Sequence, residues 1–385
     1  LAGADFDGEK TAGEHLRDAG SRGRVMLQLQ SFNVLNDLRW PAIVAVTGIL
    51  AIAPLANAEP IRGAGSTFAA PIIHQWSRDY ETARMDGGDF TSPDWNVDYE
   101  PVGSLAGVMR LDQPEMDFAA TDAPLAPEDL KTRNLAQFPI VMGGIVVATN
   151  IAGVRPGQLR LSGPILADIY LGKITTWSDP NIKAINPDLN LPNANIAVLY
   201  REDGSGSTAA FTSFLSKVSL QWHDKVGSDT LVKWPHGRGE RGTGGLATLA
   251  AATENSITYL EYGQATRLGM SYASLQNQSG AFVQPDVKSF QLGLANVAWD
   301  PARDFSADTT NLAGEGAYPI AVVTYAVIPI RHGRDRVERV LDLFRLTLTK
   351  GSEKAAALGY IPVSAELTTR IEAYWANRLK ASINN

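Results

Sequence analysis

The chain has 385 residues, 44% hydrophobic and 19% charged, with a formal net charge of −7. Those values exclude a disordered or fibrous chain and leave room for two domains, each with its own core. The acidic balance argues against nucleic acid as a partner, since nucleic acid takes a basic face. Cysteine is absent, which excludes disulfides and an acylated cysteine anchor, so the mature protein is expected to be soluble and held by its core alone.

The chain opens on Leu1, and its first methionine is Met26. From there Arg39, the apolar run Pro41 to Leu55 and Ala56-Asn57-Ala58 follow the order of a secretory signal: charged region, short apolar region, small-x-small cleavage site. Residues 1–58 are therefore read as a leader cut after Ala58, with translation starting at Met26. The apolar run is shorter than the roughly 20 residues of a membrane-spanning helix. Export to a Gram-negative periplasm is the expectation. Residues 59–385 then carry 29 basic and 35 acidic side chains, so a bound anion has to be caught by local donors rather than by the overall field.

After Ala58, Ile61-Arg62-Gly63 reads as a short strand. Phe68, Ile72, Ile73, Trp76 and Tyr80 fall near one helical face and predict a helix over about 68–83, with Pro71 in its first turn. Residues 86–96 read as a surface loop. Val97 to Val102 alternates like a strand, a short helix follows around 105–112, and Asp117 to Ala120 is a strand delivering Thr121-Asp122. The nearly continuous apolar runs Ile140 to Thr149 and Ile320 to Ile330 predict strands covered on both faces. Between them lie a helix near 164–171, strands Ile196–Tyr200 and Ile257–Tyr262, and helices marked by Phe211, Phe214, Leu215 and Val218 and by residues 245–253. Residues 300–316 read as loop. Val337 to Leu348 and residues 364–380 close the chain as helices. Alternating strands and helices argue for an α/β protein with mostly parallel sheets, whose ligands sit at strand C-terminal ends.

Three loops at such strand-to-helix turns carry the candidate chemistry: Gly63-Ala64-Gly65-Ser66-Thr67-Phe68, Gly103-Ser104-Leu105-Ala106-Gly107 and Arg201-Glu202-Asp203-Gly204-Ser205-Gly206-Ser207-Thr208. A helix start offers unpaired N–H groups and the positive end of a dipole, glycine admits a ligand to the backbone, and small hydroxyls add donors. Taken singly, Ser66 or Ser104 could do no more than cap a helix or fill a turn. The third loop adds Arg201, with Asp203 placed to hold its guanidinium for a bidentate oxyanion contact. Converging, the loops would bury a small oxyanion in neutral donors.

No Gly-Lys-Ser/Thr phosphate loop and no Gly-x-Ser-x-Gly elbow is present. The five histidines (His15, His74, His223, His236, His332) are scattered without metal-ligand spacing. Neither a metal nor a cofactor is expected. By themselves the residues leave three readings open: a phosphate receptor, a receptor for sulfate or another tetrahedral oxyanion, and a secreted phosphoesterase.

At these loops, and at Ala120-Thr121-Asp122-Ala123-Pro124-Leu125, Phe138-Pro139 with Gly143-Gly144, Trp177-Ser178-Asp179-Pro180-Asn181-Ile182 and Ile257-Thr258-Tyr259-Leu260-Glu261-Tyr262, the chain resembles the periplasmic phosphate-binding proteins of ABC-type phosphate importers, the PstS type. The resemblance runs in order from about Glu59 to the C-terminal helix. It implies a two-lobed α/β periplasmic-binding-protein fold of type II, with phosphate in the cleft between lobes 59–138 plus 318–385 and 139–317. The implied phosphate ligands are Thr67, Phe68 and Gly206 through the backbone of the latter two, and Ser104, Asp122, Arg201, Ser205 and Ser207, with Ser66 and Asp203 supporting. Ser207 stands where the family often has threonine. Implied partners are inorganic phosphate and the membrane permease subunits, with the receptor a monomer and not an enzyme. Asp122 would accept the proton of hydrogen phosphate and so exclude sulfate, which has none to offer. Arg238 and Arg241, in the glycine-rich stretch 237–245, receive no role.

Overall fold

The computed structural model describes residues 59–87 and 96–379, which all belong to one compact unit spanning 56–385. Met26, the apolar run and the Ala58 junction lie outside the described residues, as do 88–95 of the expected loop and residue 380, the expected end of the last helix.

The chain opens with β1 (Ile61–Gly65), α1 (Ala70–Met85), β2 (Val97–Glu100), α2 (Ser104–Arg110) and β3 (Phe118–Thr121). Helix α1 starts two residues later than its periodicity predicts, because 67–69 form a turn first, and Pro71 lies in its first turn. After the short α3 (Pro127–Thr132) comes β4 (Leu135–Asn150), longer than its apolar run suggests. All of β4 except its last residue is buried, so nearly every position, not every second one, is apolar or small, with Gln137 the buried polar exception.

The middle of the chain forms β5 (Arg160–Leu161), α4 (Gly163–Tyr170), α5 (Pro180–Ala184), β6 (Ala197–Arg201), α6 (Gly206–Val218), α7 (Leu220–Lys225), β7 (Arg238–Glu240), α8 (Gly242–Ala252), β8 (Ser256–Glu261), α9 (Tyr262–Arg267), β9 (Ser271–Tyr272), β10 (Ser274–Gln276), β11 (Phe282–Val283) and α10 (Val287–Leu294). Strand β12 (Ala321–Pro329) then leads to α11 (Arg334–Lys350), α12 (Ser352–Ala357) and α13 (Ala365–Tyr374). Ser162, Asp179, Ser205, Ser219, Asp286 and Ser364 each cap a helix by accepting a backbone N–H, which fixes where α4, α5, α6, α7, α10 and α13 begin.

The main sheet runs β2-β1-β3-β12-β4-β8-β6-β7, with β9 also on β4. Its two ends are parallel, as the alternation of strands and helices predicts. Its centre is antiparallel: β12 runs against both β3 and β4, and β4 against β8. The mostly parallel reading fails there because β4 and β12, separated in the chain by residues 151–320, pair in the middle of the sheet as long antiparallel neighbours. Strand β4 pairs with β12 up to Gly144 and with β8 from Ile145. Strands β1–β3 thus lie on one side of this handover and β6–β8 on the other, and the sequence-based boundary 138/139 falls inside β4. The backbone at the handover is approached closely by two rings. A Cβ on Gly143 would lie 2.7 Å from the Phe68 ring, and one on Gly144 would lie 1.9 Å from the Phe290 ring.

Most of the described aromatic residues are core. Phe118, Phe138, Phe344 and Trp375 form an edge-to-face chain under one half of the sheet, while Tyr170, Phe211, Tyr259 and Trp234 stack under the other. One charge sits within this framework. Asp117, 1% exposed, accepts the Arg62 N–H at 2.8 Å, Arg336 Nε at 2.8 Å and an Arg339 nitrogen at 3.1 Å, tying β3 to α11. Removing one partner of such a buried pair strands the other. Asp117→Ala should therefore lower unfolding free energy by about 3–5 kcal/mol. Urea denaturation checks this, and an unshifted midpoint would show that the arginines find other partners.

Candidate functional site

The three loops meet at one point. The loops follow β1, β2 and β6 and are stitched through their backbones: Gly103 N–H donates to Gly65 O at 2.8 Å, and Leu105 N–H to Gly204 O at 3.3 Å. This closeness needs glycine. Gly103 has φ +93, and a Cβ on it would sit 2.7 Å from Gly204 O. A Cβ on Gly206 would come within 2.5 Å of Asp122 Cβ, so the start of α6 rests directly on the end of β3.

Asp122 is the centre of this meeting point and is 6% exposed. Its Oδ2 accepts the Ser66 hydroxyl at 2.7 Å and the Ser104 hydroxyl at 3.3 Å, and its Oδ1 accepts the Thr324 hydroxyl at 2.6 Å. The Asp122 N–H returns a bond to Ser104 Oγ at 3.2 Å. A carboxylate has about four acceptor positions, so these three donors leave one. Burial pushes the Asp122 carboxyl above the usual range, while the three hydroxyls and the positive charge of Arg201 pull it back down.

Arg201, at the end of β6 and 2% exposed, is held by nearly all of its donors. Nε and one Nη2 hydrogen go to the two Asp203 oxygens, as the sequence reading expects. The other terminal nitrogen is shared, reaching Thr67 Oγ1 and Thr243 Oγ1 at 3.1 Å each. Its backbone is fixed too, with the N–H on the Tyr259 hydroxyl at 3.0 Å and the carbonyl accepting from Trp234 at 3.3 Å. The guanidinium keeps the Asp203 carboxyl below the usual carboxylate range despite the opposing effect of burial.

The remaining expected residues surround these two. Ser205 caps α6 through its oxygen, at 3.4 Å from Thr208 N, which leaves its O–H to donate. Gly206 and Ser207 are the first two residues of α6, where N–H groups have no intrahelical acceptor. Ser207 is buried, and Thr67 is half-buried at the turn before α1. The Phe68 carbonyl accepts the Tyr360 hydroxyl at 2.6 Å, and its ring packs edge-on against Tyr360. The structure thus brings Ser66, Thr67, Phe68, Ser104, Asp122, Arg201, Asp203, Ser205, Gly206 and Ser207 into one cluster.

Sequence reasoning missed two members. Thr324 is the one serine or threonine within the apolar run of β12, and that polar interruption was the available signal. Thr243 comes from the glycine-rich stretch left without a role. Arg238 and Arg241 themselves are exposed. Among the described residues no group of three or more His, Asp or Glu side chains could hold a metal ion.

A PBP superfamily domain profile matches residues 51–342. A curated phosphate-binding protein PstS from Xylella fastidiosa is 40% identical over 322 residues, covering 83% of this chain and 86% of that protein. This chain belongs to the PstS family. The PstS of Haemophilus influenzae is 38% identical, with coverages of 85% and 96%. The fold of this PstS-family chain is also that of a crystal structure of an ancestral soluble variant of the human phosphate-binding protein, at a TM-score of 0.64, 19% identity and coverages of 82% and 93%. The mixed α/β architecture is thus the periplasmic-binding-protein fold.

Beside the cluster, this PstS-family chain buries a second carboxyl. Glu261, at the end of β8, is 3% exposed and has Arg267 at 2.9 Å and the Tyr360 hydroxyl at 3.4 Å. Burial raises its pKa to about 8 against the opposing pull of Arg267. The folded state then holds a proton that the unfolded chain releases near pH 4.5, so stability falls as pH rises from about 4.5 to about 8. Glu261→Gln should flatten the thermal midpoint across that window. A slope unchanged by the substitution would mean Glu261 is ionised in the fold.

Proposed function

We propose that this chain is a high-affinity receptor for inorganic phosphate, exported to the periplasm, which hands its ligand to an ABC-type import permease without chemical turnover. The observation that carries the reading is the pairing of Asp122 and Arg201 among hydroxyl and backbone donors. Arg201 and the N–H groups of Gly206 and Ser207 suit an anion. Asp122, with one acceptor position left, suits an anion that still carries a proton. Hydrogen phosphate meets both demands. Sulfate at neutral pH would place an oxygen lone pair against the carboxylate, a buried mismatch that supports large discrimination. Relatives named as phosphate-binding proteins agree with this choice.

The proposed ligand set is Thr67, the Phe68 and Gly206 N–H groups, Ser104, Asp122, Arg201, Ser205 and Ser207. Ser66 and Asp203 act behind it, since Ser66 donates to Asp122 and Asp203 accepts from Arg201. In the same reading β4 and β12 are the hinge strands between lobes 59–138 plus 318–385 and 139–317, and the protein works as a monomer. Among the described residues no helix is long and apolar enough to cross a membrane.

Calorimetric titration of the chain, stripped of bound anion, with phosphate and then sulfate at neutral pH tests the reading. One-to-one phosphate binding with sulfate ignored is expected, and equal binding of both would remove Asp122 from its role. Asp122→Ala should weaken phosphate binding and narrow the gap to sulfate. Arg201→Ala should weaken phosphate roughly 10- to 100-fold, the span of a charge-assisted hydrogen bond; unaltered affinity would place the guanidinium away from the anion.

A further inference from the structure

We propose that Thr243, from the glycine-rich stretch, is a positioning residue of the anion site that turns Thr67 into a hydrogen-bond donor and holds Arg201 in place. The proposal rests on the phosphate-receptor reading and deepens it.

The argument is a count of hydrogens. Thr67 Oγ1 accepts from Arg201 at 3.1 Å and from the Thr243 N–H at 3.3 Å. A hydroxyl oxygen has two lone pairs, so both are taken. The contact between the two threonine hydroxyls, 2.8 Å, is then donated by Thr67 to Thr243. Thr243 Oγ1 also accepts from the same Arg201 nitrogen at 3.1 Å, which fills its own two lone pairs. In this arrangement the Thr243 hydroxyl hydrogen is left over, and when Thr67 turns its own hydrogen toward a ligand both hydroxyl hydrogens are available and Thr243 regains one lone pair. As it stands, the triangle of Arg201, Thr67 and Thr243 has every lone pair filled and a hydrogen to offer, which suits an anion.

The start of α8 explains why Thr243 stands there. Its first N–H group, from Gly242, donates to Asp203 Oδ1 at 3.2 Å, and its second, from Thr243, goes to Thr67. The helix start is therefore spent on the residues that hold the anion: the partner of Arg201, and Thr67. The Thr243 carbonyl accepts from Gln264 at 3.5 Å, and the side chain is 6% exposed. Thr243 lies 176 residues from Thr67, so it fastens the glycine-rich stretch to the turn before α1.

The test is a mutant cycle read by calorimetry with inorganic phosphate. Thr243→Val keeps the shape and the backbone N–H and removes the hydroxyl; it should weaken binding about tenfold, the size of one hydrogen bond to a charged group. Thr243→Ser should restore affinity close to that of the starting protein. Because Thr243 acts partly through Thr67 and partly on Arg201, the loss in the double variant Thr67→Val/Thr243→Val should be smaller than the sum of the two single losses. Additive losses, or a Thr243→Val variant that binds as tightly as the parent, would overturn the proposal. The thermal midpoint of the phosphate-free variants separates a folding defect, in which Thr243→Ser would fail to rescue a lowered midpoint. A parent chain that ignores phosphate would instead bring down the receptor reading itself.

Discussion

A carboxylate hidden from water has to be answered by donors, and much of this site follows from answering Asp122. Its three hydroxyl partners come from the turn after β1, the start of α2 and the middle of β12, from positions 56, 18 and 202 residues away in the chain. Leaving any of them out would expose the group to the cost of an unmatched buried charge, which exceeds the gain from an ordinary hydrogen bond. The ends of the parallel strands are therefore brought together by the same atoms that give the site its acceptor. Structural order and chemical selectivity share one carboxylate.

Positive charge is handled in the opposite way. The chain is acidic overall, and its site concentrates cationic character in one buried guanidinium whose donors are almost all engaged by protein. Holding the group in advance means little rotamer freedom is lost when an anion arrives. The layers are ordered: Asp203 and the threonines hold Arg201, the start of α8 holds Asp203 and Thr67, and Tyr259 and Trp234 fix the backbone from the aromatic stack beneath. Affinity in such a site owes as much to what stands behind the ligand as to what touches it.

The strand-to-helix loops were legible in the sequence because glycine and small hydroxyls in a row have few other uses. The long strands were legible because an apolar run of that length fits a buried strand. What was hidden came from across the sheet. Nothing local says that Thr324, inside an apolar strand, will face Asp122, since that depends on β12 running antiparallel to β3 with Tyr325 opposite Thr121. The antiparallel centre itself was invisible to an argument from alternation, which knows the order of elements and not their neighbours. Thr243 was obscured by the arginines beside it, whose charge drew attention while their side chains face solvent.

Strand β4 has two sets of partners along one backbone, and that makes it a common ruler for the sheet. Its first part is read against β12 and its second against β8. A single residue inserted before Gly143 would turn every later side chain of one part to the opposite face while leaving the other in place. The register on β12 already shifts once, with Ile140 the extra residue between Pro139 and Val141, and with no solvent-facing side the rest of the strand has no room to absorb another. It would also carry the Phe68 ring off its glycine seat, so that a length error in a strand that contacts no anion would be felt in the turn that does. Away from that bulge, β4 is a strand in which a residue can be exchanged far more readily than one can be added.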